Sequence, residues 1–189
     1  LLAFSDEPKV GAKEALQALR ERGGRIVMIS GDNRGAALAM ARRLGLQEDE
    51  VMADVLPGDK AAAVNTLKQD ADGKTHTVAM VGDGVNDAPA LTAADVGIAM
   101  GTGTDVAMHA AAITLMRGDV GLVADALEIS KRTVAKIRQN LFWAFAYNAA
   151  GIPLAAFGYL SPVVAGAAMA MSSVSVMTNA LLLKRWRGR

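Results

Sequence analysis

The sequence predicts an α/β head, an open parallel sheet flanked by helices, followed by an all-α two-helix transmembrane hairpin. Three observations carry this. Apolar runs of strand length alternate with helix-length amphipathic segments through the first 118 residues, the pattern of parallel strands covered on both faces. Charge is sharply divided: residues 1–128 carry 12 basic and all 19 acidic groups, a net of −7, whereas 129–189 carry 8 basic groups and no acidic one, a net of +8. Between Arg138 and Lys184 lie 45 uncharged residues, too many for one bilayer span of ~20 and about right for two. The 52% apolar composition excludes a disordered chain, and the lack of cysteine excludes disulfide scaffolds and cysteine-ligated zinc. The boundaries that follow are 1–118 for the head, 119–140 for a stalk helix, 141–160 and 161–183 for the spans, and 184–189 for a basic tail.

Each element has a local reason. Lys13 to Arg22 places apolar residues at 15, 16, 18 and 19, as an amphipathic helix does, and Gly23-Gly24 ends it. Arg25 to Ser30 holds the apolar run Ile26-Val27-Met28-Ile29, a short strand. Arg34 to Leu44 is a second helix closed by Gly45, and Gly58 to Lys68 a third. Thr75 to Val81 reads as a second buried strand, with shorter strands at Val96–Met100 and Ile113–Met116. Asp119 to Arg138 is helical and becomes basic, running without a breaker into Leu141–Leu160; Gly158 and Pro162 mark the turn before Ser161–Leu183. The basic flanks, Lys131 to Arg138 and Lys184 to Arg189, place both hairpin ends in the cytoplasm. The chain opens Leu-Leu-Ala-Phe without an initiator Met or a signal-peptide pattern, and is expected to be the C-terminal piece of a longer protein.

In open parallel sheets, chemistry sits beyond the C-terminal strand ends. The first strand runs into Ser30-Gly31-Asp32-Asn33 and the second into Gly82-Asp83-Gly84-Val85-Asn86-Asp87. Between them, Leu56-Pro57-Gly58-Asp59-Lys60 opens a helix. Asp83 and Asp87 put two hard carboxylates on one loop, as Mg²⁺ requires. Gly82 and Gly84 allow close approach to a ligand. Ser30, the Gly31 amide and Asn86 offer hydrogen bonds, and Lys60 a cation for a phosphoryl group. Either loop alone is also ordinary turn or cap chemistry; their joint placement with a lysine between them points to a site. His76 and His109 belong to no motif.

The hairpin carries polar groups where they cost energy. The first span holds Tyr147-Asn148 and then Pro153, where a kink is expected. The second holds Met169, Met171, Ser172, Ser173, Ser175, Thr178 and Asn179. Tyr147 and Asn148 lie ~10 Å, and Met169 and Ser173 ~15–20 Å, inside their cytoplasmic ends at 1.5 Å per residue, so all four can reach one midplane site. A thioether with neutral oxygens suits Cu(I) or Ag(I) rather than a hard cation. The same residue types also serve plain helix packing.

Met80 through Leu91, Met-Val-Gly-Asp-Gly-Val-Asn-Asp-Ala-Pro-Ala-Leu, resembles the hinge motif of P-type ATPases. Ser30-Gly31-Asp32 resembles that family's Thr-Gly-Asp, Lys60 its phosphate-contacting lysine, and Asp6-Glu7-Pro8-Lys9 its Asp-Pro segment with one residue inserted. Tyr147-Asn148 with Ile152-Pro153, and Met169-Ala170-Met171-Ser172-Ser173 with Asn179-Ala180-Leu181, resemble the last two membrane helices of the Cu(I)-exporting heavy-metal branch. The membrane lysine and Asp-x-Gly of zinc and cadmium relatives are absent.

The resemblance covers essentially the whole chain and implies a haloacid-dehalogenase-like phosphorylation domain using ATP and Mg²⁺. Catalytic positions would be Ser30, Gly31, Asp32, Lys60 and Asn86; Asp6, Gly82 and Gly84 would contact the cofactor. Asp83 and Asp87 would hold Mg²⁺, and Tyr147, Asn148, Met169 and Ser173 the transported Cu(I). The lipid bilayer and a copper chaperone are implied partners, nucleic acid is not, and the setting would be the plasma (inner) membrane with head and tail cytoplasmic. The acceptor motif Asp-Lys-Thr-Gly does not occur in these 189 residues, nor do the Cys-Pro-Cys ligands, which are expected upstream. The rivals are a membrane-tethered phosphatase and a regulatory fragment without transport.

Overall fold

A computed structural model describes residues 7–69, 72–83, 85–101, 105–159 and 161–183. The chain divides into two units at Ala124 and Asp125.

In the first unit, helix α1 (Ala12–Glu21) is followed by strand β1 (Met28–Ile29), helix α2 (Arg34–Leu44) and strand β2 (Val51–Met52). β1 and β2 pair in parallel, Met28 opposite Val51 and Ile29 opposite Met52. Helix α3 (Lys60–Leu67), strand β3 (Ala79–Gly82), helix α4 (Ala88–Ala93), strand β4 (Val96–Met100), helix α5 (Asp105–Ala110) and strand β5 (Ile113–Leu115) complete the unit. β3, β4 and β5 form a second parallel sheet with β4 central. Its core is Leu91 and Ala99, with Met80, Met108, Ala110 and Ala111 packed against them.

The expected class therefore holds, but as two short hydrogen-bonded sheets rather than one. β1 keeps only the last two residues of the apolar run 26–29. β3 begins at Ala79, not Thr75: residues 75–77 are exposed, and Thr75 makes an isolated antiparallel bridge to Gln69. The Val78 N–H is taken instead by the Asp95 carboxylate at 2.8 Å. That bond, reinforced by Lys68 at 3.0 Å, holds the Asp95 carboxyl below its ordinary range. β2, α4 and α5 have no counterpart in the periodicity, being two to six residues long, too short to complete a recognisable repeat. Arg20 pins α1 to the loops behind it, donating to the Gly45 carbonyl at 2.8 Å and pairing with Glu50.

Helix α6 (Gly121–Ala156) begins where the Asp119 carboxylate accepts the Gly121 N–H at 2.8 Å. Its first turn buries Val123 and Ala124. The helix runs 36 residues, joining the expected stalk and first span in one element, and continues past Pro153. It closes on Gly158 at φ 74, a left-handed conformation that favours glycine. There the Gly158 N–H reaches the Ala155 carbonyl at 3.0 Å and the Tyr159 N–H the Leu154 carbonyl at 2.9 Å, satisfying two terminal carbonyls. Helix α7 (Pro162–Leu183) opens with proline in its first turn, its Val164 N–H reaching the Ser161 hydroxyl at 3.3 Å. Among the described residues, α7 is the one helix long and apolar enough to cross a membrane by length and composition. The apolar half of α6 is diluted by Gln139, Asn140, Tyr147 and Asn148.

Candidate functional site

The head presents its polar motifs at strand ends, as expected. β3 ends on Gly82; Asp83 follows, and Val85–Asp87 make a single 3₁₀ turn into α4. Pro57–Asp59 make a similar turn that delivers Lys60 as the first residue of α3. These two turns meet: the Lys60 ammonium donates to Asp87 Oδ1 at 2.7 Å. The pair is largely withdrawn from water, the side chains 18% and 12% exposed, and Asp87 is the buried charged residue among those described. In so dry a setting each charge depends on the other.

Gly82 is what makes room for this pair. A Cβ placed there would sit 2.7 Å from the Asp87 Cβ, closer than real Cβ contacts allow. Asp83 and Asn86, by contrast, face solvent. Asp83 thus offers an exposed hard carboxylate, while Asp87 has one oxygen engaged by Lys60. Mg²⁺ usually keeps several waters and takes one or two carboxylates, so this donor set fits the ion with Asp83 as its first candidate ligand.

The Ser30-Gly31-Asp32 loop is organised differently. The Ser30 hydroxyl donates to Asp32 Oδ2 at 2.8 Å and accepts the Asp32 N–H at 3.1 Å. The backbone extends the β1–β2 ladder: the Val55 N–H reaches the Ser30 carbonyl at 3.0 Å and the Asp54 N–H the Asp32 carbonyl at 2.9 Å. Asp54, which no sequence argument singled out, sits at φ 56 to make that contact. A Cβ on Gly31 would meet the Val55 carbonyl at only ordinary distance, 3.4 Å. Asp6 and Gly84 lie outside the described residues. The hydrogen bonds therefore join the Lys60 and Asp87 motifs to each other, and the Ser30 loop to residues 52–55.

In the helical unit, Tyr147 is half-buried and lines an open groove of about 490 Å³ with Trp143, Ser175, Thr178 and Asn179. Asn148 donates its Nδ2 to the Ala144 carbonyl at 2.8 Å, and the Ser173 hydroxyl donates to the Met169 carbonyl at 3.1 Å. With those donors turned onto the backbone, Asn148 presents its Oδ1 and Ser173 its oxygen lone pairs outward. Met169 is 73% exposed. None of Asn148, Met169 or Ser173 lines the groove that Tyr147 lines. Among the described residues no three His, Cys, Asp or Glu side chains gather as a metal cluster.

Residues 1–95 match the haloacid dehalogenase-like hydrolases, and the chain belongs to that family. Over 187 residues, 99% of its length, the chain is 54% identical to a copper-exporting P-type ATPase of Staphylococcus haemolyticus strain JCSC1435. It is 56% identical over the same share to a protein of that name from Staphylococcus aureus strain MRSA252. The chain spans 23% of the length of each of these relatives. Among solved structures it is similar to a zinc-transporting PIB-type ATPase in the E2.Pi state, with a TM-score of 0.84 and 37% identity. That match covers 96% of this chain and 29% of the other. Over the matched residues the fold of this chain is thus similar to that of the PIB-type structure.

Proposed function

We propose that this chain is part of an ATP-driven Cu(I) exporter, supplying the phosphate-handling edge of its phosphorylation domain and two helices of its metal pathway. One observation carries the reading. A hydrolase-family site with a buried Lys60–Asp87 pair, and a helix pair offering a thioether and neutral oxygens without a carboxylate, stand on one continuous chain. Neutral sulfur and oxygen donors favour a soft monovalent ion over Zn²⁺ or Ca²⁺.

In the proposed reaction the Lys60 ammonium, oriented by Asp87, faces the transferring phosphoryl group and offsets its charge. Asp83 would hold Mg²⁺, which supplies further charge neutralisation when bound. Asn86 and the Gly31 amide donate to phosphoryl oxygens. Ser30 can donate to a phosphoryl oxygen only by releasing Asp32, so this loop changes its hydrogen bonding as substrate arrives. Asp32 shapes that loop, and the family resemblance assigns Asp6, Gly82 and Gly84 to contacts with the cofactor. In the membrane, Tyr147, Asn148, Met169 and Ser173 take Cu(I) as cargo. The phosphorylation domain and tail lie in the cytoplasm, the hairpin in the lipid of the plasma membrane, and a cytoplasmic copper chaperone delivers the metal.

The test is copper-dependent ATP hydrolysis by the complete protein. Asp83→Ala is expected to abolish turnover, a loss of at least about 10³-fold, as removal of a central electrostatic group does. Normal copper-stimulated hydrolysis in that variant would overturn the site. Hydrolysis of simple phosphate esters without any metal stimulation would instead favour the tethered phosphatase.

A further inference from the structure

The groove beside Tyr147 ends on a polar cluster that the proposed chemistry does not use. The Lys136 ammonium of α6 donates to Asn179 Oδ1 of α7 at 2.6 Å. The Asn179 Nδ2 in turn donates to Asn140 Oδ1 at 2.8 Å, and Asn140 sits one helical turn beyond Lys136. All three side chains are half-buried. Lysine has donors only, so it dictates which way the Asn179 amide faces: oxygen toward Lys136, NH₂ toward Asn140. One α7 side chain is therefore gripped at both ends by two α6 side chains.

The rest of α7 gives little to hold it in place axially. Apart from Ser172, Ser173, Ser175 and Thr178 it is apolar, the Ser173 hydroxyl is turned onto its own helix, and residues 165–168 are Ala-Gly-Ala-Ala, a smooth segment. Apolar packing between helices is non-directional and tolerates sliding, whereas a single polar contact specifies register. Asn179 lies six residues beyond Ser173, roughly 9 Å along the helix. Any axial slip of α7 is passed undiminished to Met169 and Ser173.

We propose that Asn179 is a positioning residue: bound between Lys136 and Asn140, it fixes the register of α7 against α6 and so sets the spacing of Met169 and Ser173 from Tyr147 that Cu(I) binding requires. This rests on the functional reading above. Both ends of the Asn179 amide are engaged, and its partner Lys136 is cationic, so its effect on Cu(I) is exerted through register rather than coordination.

The experiment measures Cu(I) affinity of the complete protein by competition with a Cu(I) chelator, alongside the copper dependence of ATP hydrolysis. Asn179→Ala is expected to weaken Cu(I) binding and raise the half-saturating copper concentration about tenfold, with kcat at saturating copper within about twofold of wild type. Lys136→Met, which removes the contact from the other helix, is expected to do the same. Asn179→Asp, which keeps an acceptor for Lys136 but loses the donor to Asn140, is expected to weaken binding less. Unchanged affinity in both Asn179→Ala and Lys136→Met, with only the yield of folded protein reduced, would reduce the cluster to packing and overturn the inference alone. A wild-type protein without copper-stimulated hydrolysis would overturn the functional reading, and this inference with it.

Discussion

The two candidate sites manage their polar groups in opposite ways. In the head, reactive side chains hold one another: Lys60 grips Asp87, and Ser30 grips Asp32. In the helix pair, Asn148 and Ser173 are held by carbonyls of their own helices, four residues back. The difference follows from charge. A phosphoryl site needs full charges, which must be paired when water is withdrawn. A site for a soft monovalent ion needs lone pairs without charge, and neutral amides and hydroxyls can satisfy their donors locally. Function in the head should therefore be lost abruptly when one partner is removed, whereas function in the helices should decline by degrees.

Lys60→Met is the hardest test of that contrast. It leaves the Asp87 carboxylate buried without its cation, and should lower stability by about 2–4 kcal/mol and cut turnover at least about 10²-fold. Thermal denaturation and copper-dependent hydrolysis of the complete protein measure both. An Asp87→Asn, Lys60→Met double variant that regains stability over the single change would confirm that the cost comes from the Asp87 charge losing its Lys60 cation. Met169→Ala should act more gently, weakening Cu(I) binding about tenfold in chelator competition while leaving copper-independent phosphate chemistry intact. An affinity equal to wild type would make Met169 a packing residue and leave the oxygen donors to explain binding.

The smallest effect is expected at Asp95, whose carboxyl is held below its ordinary range by the Val78 N–H first and Lys68 second. A depressed folded-state value means the contribution is present above the usual carboxylate range and lost as pH falls through the lowered value. Asp95→Asn should therefore melt slightly lower than wild type near neutrality, and the two should converge in strong acid. A melting difference that stayed constant with pH would show that the Asp95 charge is not what stabilises the fold.

How much of this was legible in the sequence depended on range. The α2 and β4 boundaries were readable residue for residue, because each lies in a self-sufficient run closed by Gly45 or by a change to polar sequence. The Gly158 and Pro162 turn was readable because both residues act on their own backbone. Lys60 and Asp87 were each legible as chemical groups, but not as a pair, since 27 residues separate them and nothing local records the contact. Read locally, Lys60 is a cation for phosphate and Asp87 a carboxylate for a metal. Lys136 and Asn179, 43 residues apart, were legible separately, Lys136 in a basic flank and Asn179 as a polar residue of the second span, but nothing local records their contact. Two-residue strands such as β2 exist only through pairing, and Asp54 acquires its unusual backbone from the loop it bonds. Thr75 misled because β-branched residues favour strands wherever they occur, whereas the Asp95 carboxylate had already claimed the amide at Val78 that a longer strand would use.

The close fit of Gly82 against Asp87 has a consequence for anyone diversifying this sequence. In a combinatorial library the two positions behave as a single locus. Any side chain at 82 evicts the one at 87, so single-site scans would score 82 as invariant while saying nothing about its own chemistry. Only joint randomisation of 82 and 87, with a smaller residue at 87 and a new anion placed elsewhere for Lys60, opens that corner of sequence space.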